Sequence, residues 1–321
     1  MIFDLLGYGT FFLVTALSYA LICLGLNIQW GQTGLFNVGV AGFVAVGAYT
    51  SALLTTPETA GRFGGFELPI AFGWLGAMLA AGLCSAVVGA VTLRLRADYL
   101  AITTFGIAVT IQLVALNAQA LTGGPFGIGF IPRPFADLAE RPVAFGMANL
   151  ALVGGITAVA FLALERLARS PWGRVLRAIR EDETAASSLG KNATLYRLQA
   201  FMLGGAVMGL AGAVQAHLIG FIAPDNYVPA LTFQVWAMLI VGGAGNNRGA
   251  VLGAIVVWGL WSLSGFAISA LFPPDQQARA AALQIVAIGV VLAVILLLRP
   301  RGILGEEKTV SRHIAAADDT A

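Results

Sequence analysis

Charged side chains are scarce in this chain. Asp, Glu, Lys and Arg make up 11% of its 321 residues, whereas 58% are hydrophobic and the mean hydropathy is +0.85. Soluble domains carry roughly 25% charged residues, so this balance excludes an ordinary soluble core. The apolar runs are about twenty residues long and do not alternate, which excludes a barrel of alternating strands. We therefore predict an all-α polytopic membrane protein.

Cysteine and histidine are almost absent. Cys23 and Cys84 both fall inside apolar segments, where small buried side chains are expected rather than a disulfide or a metal site. The two histidines are His217 and His313, too few for a metal cluster, and we expect His217 to be a packing residue rather than a proton carrier. The sequence has no Gly-x-x-x-x-Gly-Lys-Ser/Thr loop, so we expect no ATPase site and no catalytic residues in this chain.

The apolar segments also lack ionisable side chains away from their ends. Carriers driven by protons or ions usually place such groups in the middle of the membrane. Energy for uphill transport would therefore enter from outside this chain, although a passive channel or secondary carrier remains an alternative.

Nine segments are predicted to cross the membrane, with eight or ten as alternatives. One is rich in glycine, which suggests irregular backbone, and another is short for a crossing. The segments are residues 10–27, 33–54 (the glycine-rich one), 69–93, 99–121, 147–168, 199–221, 229–244 (the short one), 249–272 and 280–298.

The placement of lysine and arginine predicts the orientation. Nine crossings with an external N-terminus put 14 of the 18 basic residues on the cytoplasmic side, as the positive-inside rule favours. If segment 229–244 entered the membrane and returned to the same side, the C-terminal basic cluster would lie on the external side, against this rule. We expect residues 1–305 to form the membrane domain, with 306–321 a disordered cytoplasmic tail.

The stretch 170–190 departs from this apolar pattern. Its apolar residues recur at helical spacing, Asp182 can cap a second helix, and Gly190 suits a chain reversal. We therefore predict two short helices at the cytoplasmic face, within a loop of residues 169–198. An amphipathic helix on anionic lipid is the alternative, but mixed charges favour a protein partner. The residues predicted to meet that partner are Arg174, Arg177, Arg180, Glu181, Asp182, Glu183 and Gly190.

Uncharged polar residues inside the spans are candidates for a translocation path. Thr103, Thr110 and Asn117 recur every seven residues and so share one helix face. Hydrogen bonds between helices are the alternative role for each of them. The predicted path residues are Asn37, Thr103, Thr110, Gln112 and Asn117.

Two Gly- and Asn-bearing bends resemble each other and hint at an internal repeat. Residues 31–47 and 242–253 both run from such a bend into a helix of small residues. Repeated halves with broken helices are common in transporters, but small residues more often serve only close helix packing.

Several motifs together resemble a known family. The segment GRVLRAIREDETAASSLGKNATLYRLQAF (173–201) is similar to the cytoplasmic coupling segment of branched-chain amino acid ABC importer permeases of the LivM type. The segments LRLRADYLAITTFG (93–106), LTGGPFGI (121–128), GLAGAVQA (209–216), GGAGNNRGAVLGA (242–254) and RPRGILG (299–305) fit in the same order. The likeness runs from about residue 24 to residue 305.

The resemblance implies one membrane subunit of an importer in a bacterial inner membrane. The implied partners are a second, similar permease, two ATPase subunits that bind ATP and Mg²⁺, and an extracytoplasmic binding protein that delivers a small-molecule substrate; no nucleic acid and no cofactor of this chain are implied. Residues 174–190 would sit in a cleft of one ATPase and switch the permease between outward and inward access.

The sequence departs from this family at several places. Val109 and Gln112 stand where an acidic and then a basic residue are often found, and Asn246, Asn247 and Arg248 replace smaller residues. Related permeases carry urea, short amides or aromatic acids, so these solutes remain alternatives to branched-chain or related hydrophobic amino acids.

Overall fold

The computed structural model describes residues 2–59, 61–271, 276–299 and 301–306 and is built almost entirely from helices. Within these residues the β-structure amounts to one bridge, between Ile128 and Ile222. The helices are α1 Ile2–Asn27, α2 Val40–Thr55, α3 Ile70–Thr92, α4 Ala97–Asn117, α5 Gln119–Thr122, α6 Pro142–Arg169, α7 Pro171–Glu181, α8 Glu183–Ser188, α9 Ala193–Ile219, α10 Pro229–Gly242, α11 Asn247–Leu271 and α12 Gln277–Leu298.

The helices confirm a polytopic membrane fold. In the described part of the chain, six helices are long and apolar enough to cross a bilayer, namely α1 with its continuation to Gln32, α3, α4, α6, α9 and α11. The helices α2 and α10 are apolar but shorter, at 16 and 14 residues. A helix of 14 residues spans about 21 Å, less than the hydrocarbon core. Each of the nine predicted segments coincides with a helix of the described chain, and segment 99–121 also reaches into the short helix α5.

Helix α10 connects the two ends of the bundle despite its length. It begins shortly after Ile222, which pairs with Ile128 in the long loop between α4 and α6. Its last residue, Gly242, accepts a 2.9 Å hydrogen bond from the backbone of Leu304, beside α7. We refer to the side that carries α7 and α8 as the α7 end. The course of α10 agrees with a full crossing rather than a dip.

Helix α9 lies at the centre and packs against α2 and α3. Small side chains make this approach possible, because a Cβ on Gly47 of α2 would collide with the backbone of Gly209 in α9. The helix α1 packs against α6 and α11 on the other side of α9. The core is therefore a tightly packed set of small-residue helices.

The glycine-rich segment 33–54 is helical only in its second part. α1 continues through a π-helical turn at Ile28–Gln32, and residues 34–39 have no regular secondary structure before α2 begins at Val40. Asn37 stabilises this break, since its side chain donates to Gln29 Oε1 at 2.7 Å and accepts from the Gly39 backbone at 2.7 Å. The irregular backbone predicted from the glycines is confirmed, and the predicted helix start is too early by seven residues because these side-chain bonds replace the helical ones.

Candidate functional site

Helix α7 is fixed to the bundle by its apolar face. Ser170 caps its first turn by accepting a bond from the Gly173 backbone, and Pro171 occupies the first helical position. Leu176 and Ile179 are fully buried beneath it. The Trp172 indole lies at the edge and donates to Gln199 of α9 at 2.9 Å. Burial of these apolar side chains explains why so polar a segment holds one position.

The predicted second helix is also present. Asp182 ends α7 and caps α8, its carboxylate accepting from the Ala185 backbone at 2.9 Å. Gly190 has a φ of +76° where the chain turns back toward α9. The prediction of two short helices that meet at Asp182 is confirmed.

Two of the arginines predicted to face a partner point into the membrane domain instead. Arg177 donates to the Ala168 carbonyl at 3.1 Å and to Gln32 Oε1 at 3.3 Å. Arg180 donates to the Gly31 carbonyl. It also donates to the two carboxylate oxygens of Glu306, and each of these two bonds is 2.9 Å long. The helical period alone placed both on an outer face, but long guanidinium side chains reach back to carbonyls at the end of α6 and in the π-helical turn.

The charge of Arg180 is stabilised by this environment. Partial burial would by itself lower the pKa of its guanidinium, but hydrogen bonds and charge from Glu306 and then Glu181 outweigh that effect and raise it. Arg180 is therefore a permanent cation held between α7, the Gly31 turn and residue 306.

The remaining predicted residues form the exposed surface of the two helices. Arg174, Glu181, Asp182 and Gly190 are exposed, and Glu183 is exposed while paired with Arg197 at 2.7 Å. Leu189 beside them is 80% exposed, an isolated apolar side chain among polar ones. Leu189 is not among the predicted residues, although a lone leucine between two serines and a glycine marks it in the sequence.

The two glycine-rich bends resembling each other in sequence lie against one another at the α7 end. Asn27 accepts from the Gly245 backbone at 2.8 Å and donates to Asn247 at 2.9 Å. Gln32 donates to the Gly245 carbonyl at 2.9 Å, and a Cβ on Gly31 would collide with Gly245. Asn247 in turn donates to Glu165 of α6 at 2.9 Å. Asn247, one of the residues that depart from the family pattern, thus helps to join the bends.

A polar cavity of about 290 Å³ separates α7 from these bends. It is lined by carboxylates and guanidinium groups as well as by the amides of the bends, among them Glu165, Arg169, Arg174, Arg177, Asn247 and Glu306. Part of the contact between α7 and the bends is therefore made by long side chains across this space, beside the buried apolar face of α7.

The predicted path residues lie apart from this network, except for Asn37. Thr110 and Asn117 are exposed on the outer surface of α4, and each bonds to the carbonyl four residues earlier. Thr103 and Gln112 are half-buried on the same helix. Because Thr110 and Asn117 lie open at the surface of the single chain, this face would line a path only together with another surface.

Buried Asn37 belongs to an aromatic cluster at the helix break. Its backbone carbonyl accepts from the Trp236 indole of α10 at 3.0 Å. The rings of Trp30, Phe36 and Trp236 lie within 5.2 Å of one another, centroid to centroid. The break in the first half of the chain is thus linked to α10.

His217 is a satisfied core residue. It is fully buried, with Nε2 at 2.9 Å from Ser51 Oγ and Nδ1 at 2.7 Å from the Pro132 carbonyl. Nδ1 therefore donates to the carbonyl and Nε2 accepts from the hydroxyl. Across the described residues, no group of three metal-binding side chains occurs.

Comparison with known proteins finds relatives among transport permeases. The chain is 34% identical over 268 residues to the high-affinity branched-chain amino acid permease LivM of Salmonella typhimurium, covering 74% of this chain and 59% of that protein. It is 28% identical to a probable LivM of Methanocaldococcus jannaschii, over 91% and 92% of the two chains. It is 29% identical to the guanosine permease protein NupQ of Bacillus subtilis, over 72% and 73%.

The first of these relatives is longer than this chain, which aligns with about three-fifths of its length. No solved structure matches the chain. A family model described as the permease component of branched-chain amino acid transport systems matches residues 9–298, nearly the whole membrane bundle. The chain therefore belongs to this family of transport permeases.

Proposed function

We propose that this protein is a permease subunit of an ATP-driven ABC importer for branched-chain or related hydrophobic amino acids, in a bacterial inner membrane. The observation that carries the proposal is the construction of α7 and α8. An apolar face fixes the two helices to the bundle, while a surface of mixed charge with Leu189 at its edge faces outward. Such a surface suits a protein partner better than lipid.

The proposed partners are two ATPase subunits, a second homologous permease and an extracytoplasmic binding protein. The sequence supports a separate ATPase because it has no phosphate-binding loop of the Walker type. A second permease is supported by the exposed polar face of α4, on which Thr110 and Asn117 lie open at the surface. That face would line half of the path once a second subunit covers it.

In this proposal, motion of α7 is transmitted to the membrane domain through the hydrogen bonds of its arginine side chains. A displacement of α7 by the ATPases pulls on Gln32 and Gly31 through Arg177 and Arg180. These residues belong to the turn that precedes the irregular break at residues 34–39, so the pull changes the contact of Asn37 with Trp236. Broken helices of this kind commonly flank transport sites.

Two observations bear on which solute is transported. LivM relatives transport branched-chain amino acids by name and NupQ carries guanosine by name, so the family accommodates different solutes. Val109 and Gln112 replace charges expected in the family, and urea, short amides and aromatic acids are therefore second candidates.

Reconstitution tests the proposal. The chain is purified with the permease, ATPase and binding-protein products of neighbouring genes and placed in liposomes containing ATP. We expect uptake of radiolabelled leucine, isoleucine or valine that requires ATP and the binding protein. Parallel assays with urea, benzoate and guanosine identify the second candidates. Uptake by the chain alone, without ATP, would instead identify a channel or secondary carrier.

A further inference from the structure

Residues 301–306 are part of the folded α7 end. The backbone of Ile303 donates to the Val241 carbonyl at 2.8 Å, and Leu304 donates to Gly242 at 2.9 Å. The Asn246 side chain donates to the Gly305 carbonyl at 3.2 Å. The segment is thus joined by backbone bonds to the end of α10 and by a side chain to the bend before α11.

Glycine makes this docking possible. Gly243 has a φ of +112°, which L side chains rarely adopt, and a Cβ there would collide with the Leu304 carbonyl. The bend between α10 and α11 and residues 301–306 therefore move as one packed unit.

Glu306 extends this unit to α7. Both of its carboxylate oxygens lie 2.9 Å from Nη2 of Arg180, whose other nitrogen donates to the Gly31 carbonyl. The side chains of Arg180 and Glu306 are 21% and 36% exposed, so solvent screens the pair only in part. One guanidinium thus connects three pieces: α7, the turn after α1, and the 301–306 segment.

We propose that Glu306 is a positioning residue for coupling: it orients Arg180 so that motion of α7 reaches both glycine-rich bends together. This inference rests on the proposed function, since it assumes that α7 receives motion from an ATPase. The cavity of about 290 Å³ beneath α7 supports it, because the contacts that cross this space are made by long polar side chains.

Arg180 has a second carboxylate partner, Glu181 of α7, which cannot replace Glu306. Glu181 also lies 2.9 Å from Arg180 but is 72% exposed and belongs to the same helix. A pair within α7 transmits nothing to the bends. Without Glu306, Arg180 keeps its charge partner yet is free to turn away from Gly31.

The test compares full-length variants in the reconstituted importer. Glu306→Gln removes the charge at constant size, Glu306→Asp keeps the charge on a shorter arm, and Glu140→Gln is the matched control, an exposed glutamate in the loop between α4 and α6. The readouts are the yield of assembled complex and the leucine taken up per ATP hydrolysed.

We expect Glu306→Gln to lower uptake per ATP about fivefold, in keeping with loss of a partly screened charge-assisted pair. Glu306→Asp should lie between this variant and the wild type, and Glu140→Gln should match the wild type. Complex yield should change little in all three. A purely structural role would lower yield and leave uptake per ATP unchanged, which overturns the proposal.

A double-mutant comparison tests whether Glu306 acts through Arg180. If it does, Arg180→Gln and the double variant Arg180→Gln/Glu306→Gln should have the same uptake per ATP. Additive losses overturn the inference.

The wild-type complex distinguishes failure of the proposed function from failure of the coupling role. If the wild type shows no ATP-dependent uptake, both are refuted together. If the wild type takes up solute normally and Glu306→Gln has the same uptake per ATP, only the role of Glu306 is refuted.

Discussion

The side-chain amide of Asn27 donates a 2.9 Å hydrogen bond to the side-chain oxygen of Asn247, 220 positions later in the chain. Asn27 is fully buried and Asn247 nearly so. The same Asn27 accepts from the Gly245 backbone at 2.8 Å. One asparagine therefore joins the end of α1 to the beginning of α11, where the two glycine-rich bends meet.

We expect Asn27→Ala to lower the free energy of unfolding by about 1–3 kcal/mol, because it leaves the Gly245 N–H and the Asn247 oxygen without their partner in a buried place. The measurement is thermal unfolding of the purified chain in detergent.

Asn117→Ala is the matched control for this experiment. Asn117 is exposed and bonds only to the Leu113 carbonyl of its own helix, so its loss should stay within about 0.5 kcal/mol. Equal midpoints for the two alanine variants would contradict the structural role of Asn27.

Two leucines of the α7–α8 segment, one buried and one exposed, should affect different properties when each is replaced by alanine: the first stability, the second partner binding. Leu176 is fully buried, and Leu176→Ala should destabilise the chain by about 2–5 kcal/mol. Leu189 is 80% exposed, so Leu189→Ala should leave unfolding unchanged and weaken co-purification of the ATPase. Undiminished ATPase recovery with Leu189→Ala would remove this residue from the proposed interface.

The helices of this fold could be predicted from hydropathy, since apolar runs of spanning length allow little else in lipid. Caps were equally local signals: Asp182 and Gly190 act where the sequence placed them. The start of α2 could not be placed because it depends on the bonds of Asn37 to Gln29 and Gly39, which require the fold.

The position of the candidate site in the chain was predicted correctly, but the directions in which its side chains point were predicted only in part. Helical periodicity located Leu176 and Ile179 correctly on the buried face. It could not show that Arg180 reaches Gly31 and Glu306, because those partners lie 149 and 126 positions away in sequence. Long-range pairing of charges is a property of the packed molecule and carries no local pattern.

His217 provides a test of a packing role against a proton-carrying role. His217→Phe fills a similar volume but leaves Ser51 Oγ and the Pro132 carbonyl without their partner. We expect a loss of about 1–3 kcal/mol in the free energy of unfolding. Uptake per folded complex should stay within about twofold of the wild type, since a residue that serves only packing carries no proton. A large loss of uptake at unchanged stability would contradict the packing role.

Accessibility to thiol reagents tests whether the α4 face lines the path. Replacing Cys23 and Cys84 by alanine gives a background without cysteine, into which Thr103, Thr110 or Asn117 is changed singly to cysteine. In the assembled importer we expect a membrane-impermeant reagent to label these positions, at rates that differ between nucleotide-free and ATP-bound states, because alternating access moves water along the path.

Two further positions make this labelling interpretable. Ala108→Cys lies on the buried side of α4, and Val87→Cys lies on α3, where the valine is 68% exposed among apolar neighbours. Both should stay unlabelled, the first through packing and the second because lipid covers it. If Thr110→Cys is as unreactive as Val87→Cys in every nucleotide state, the α4 face contacts lipid or the second permease and the path lies elsewhere, with the break at Asn37 as the next position to label.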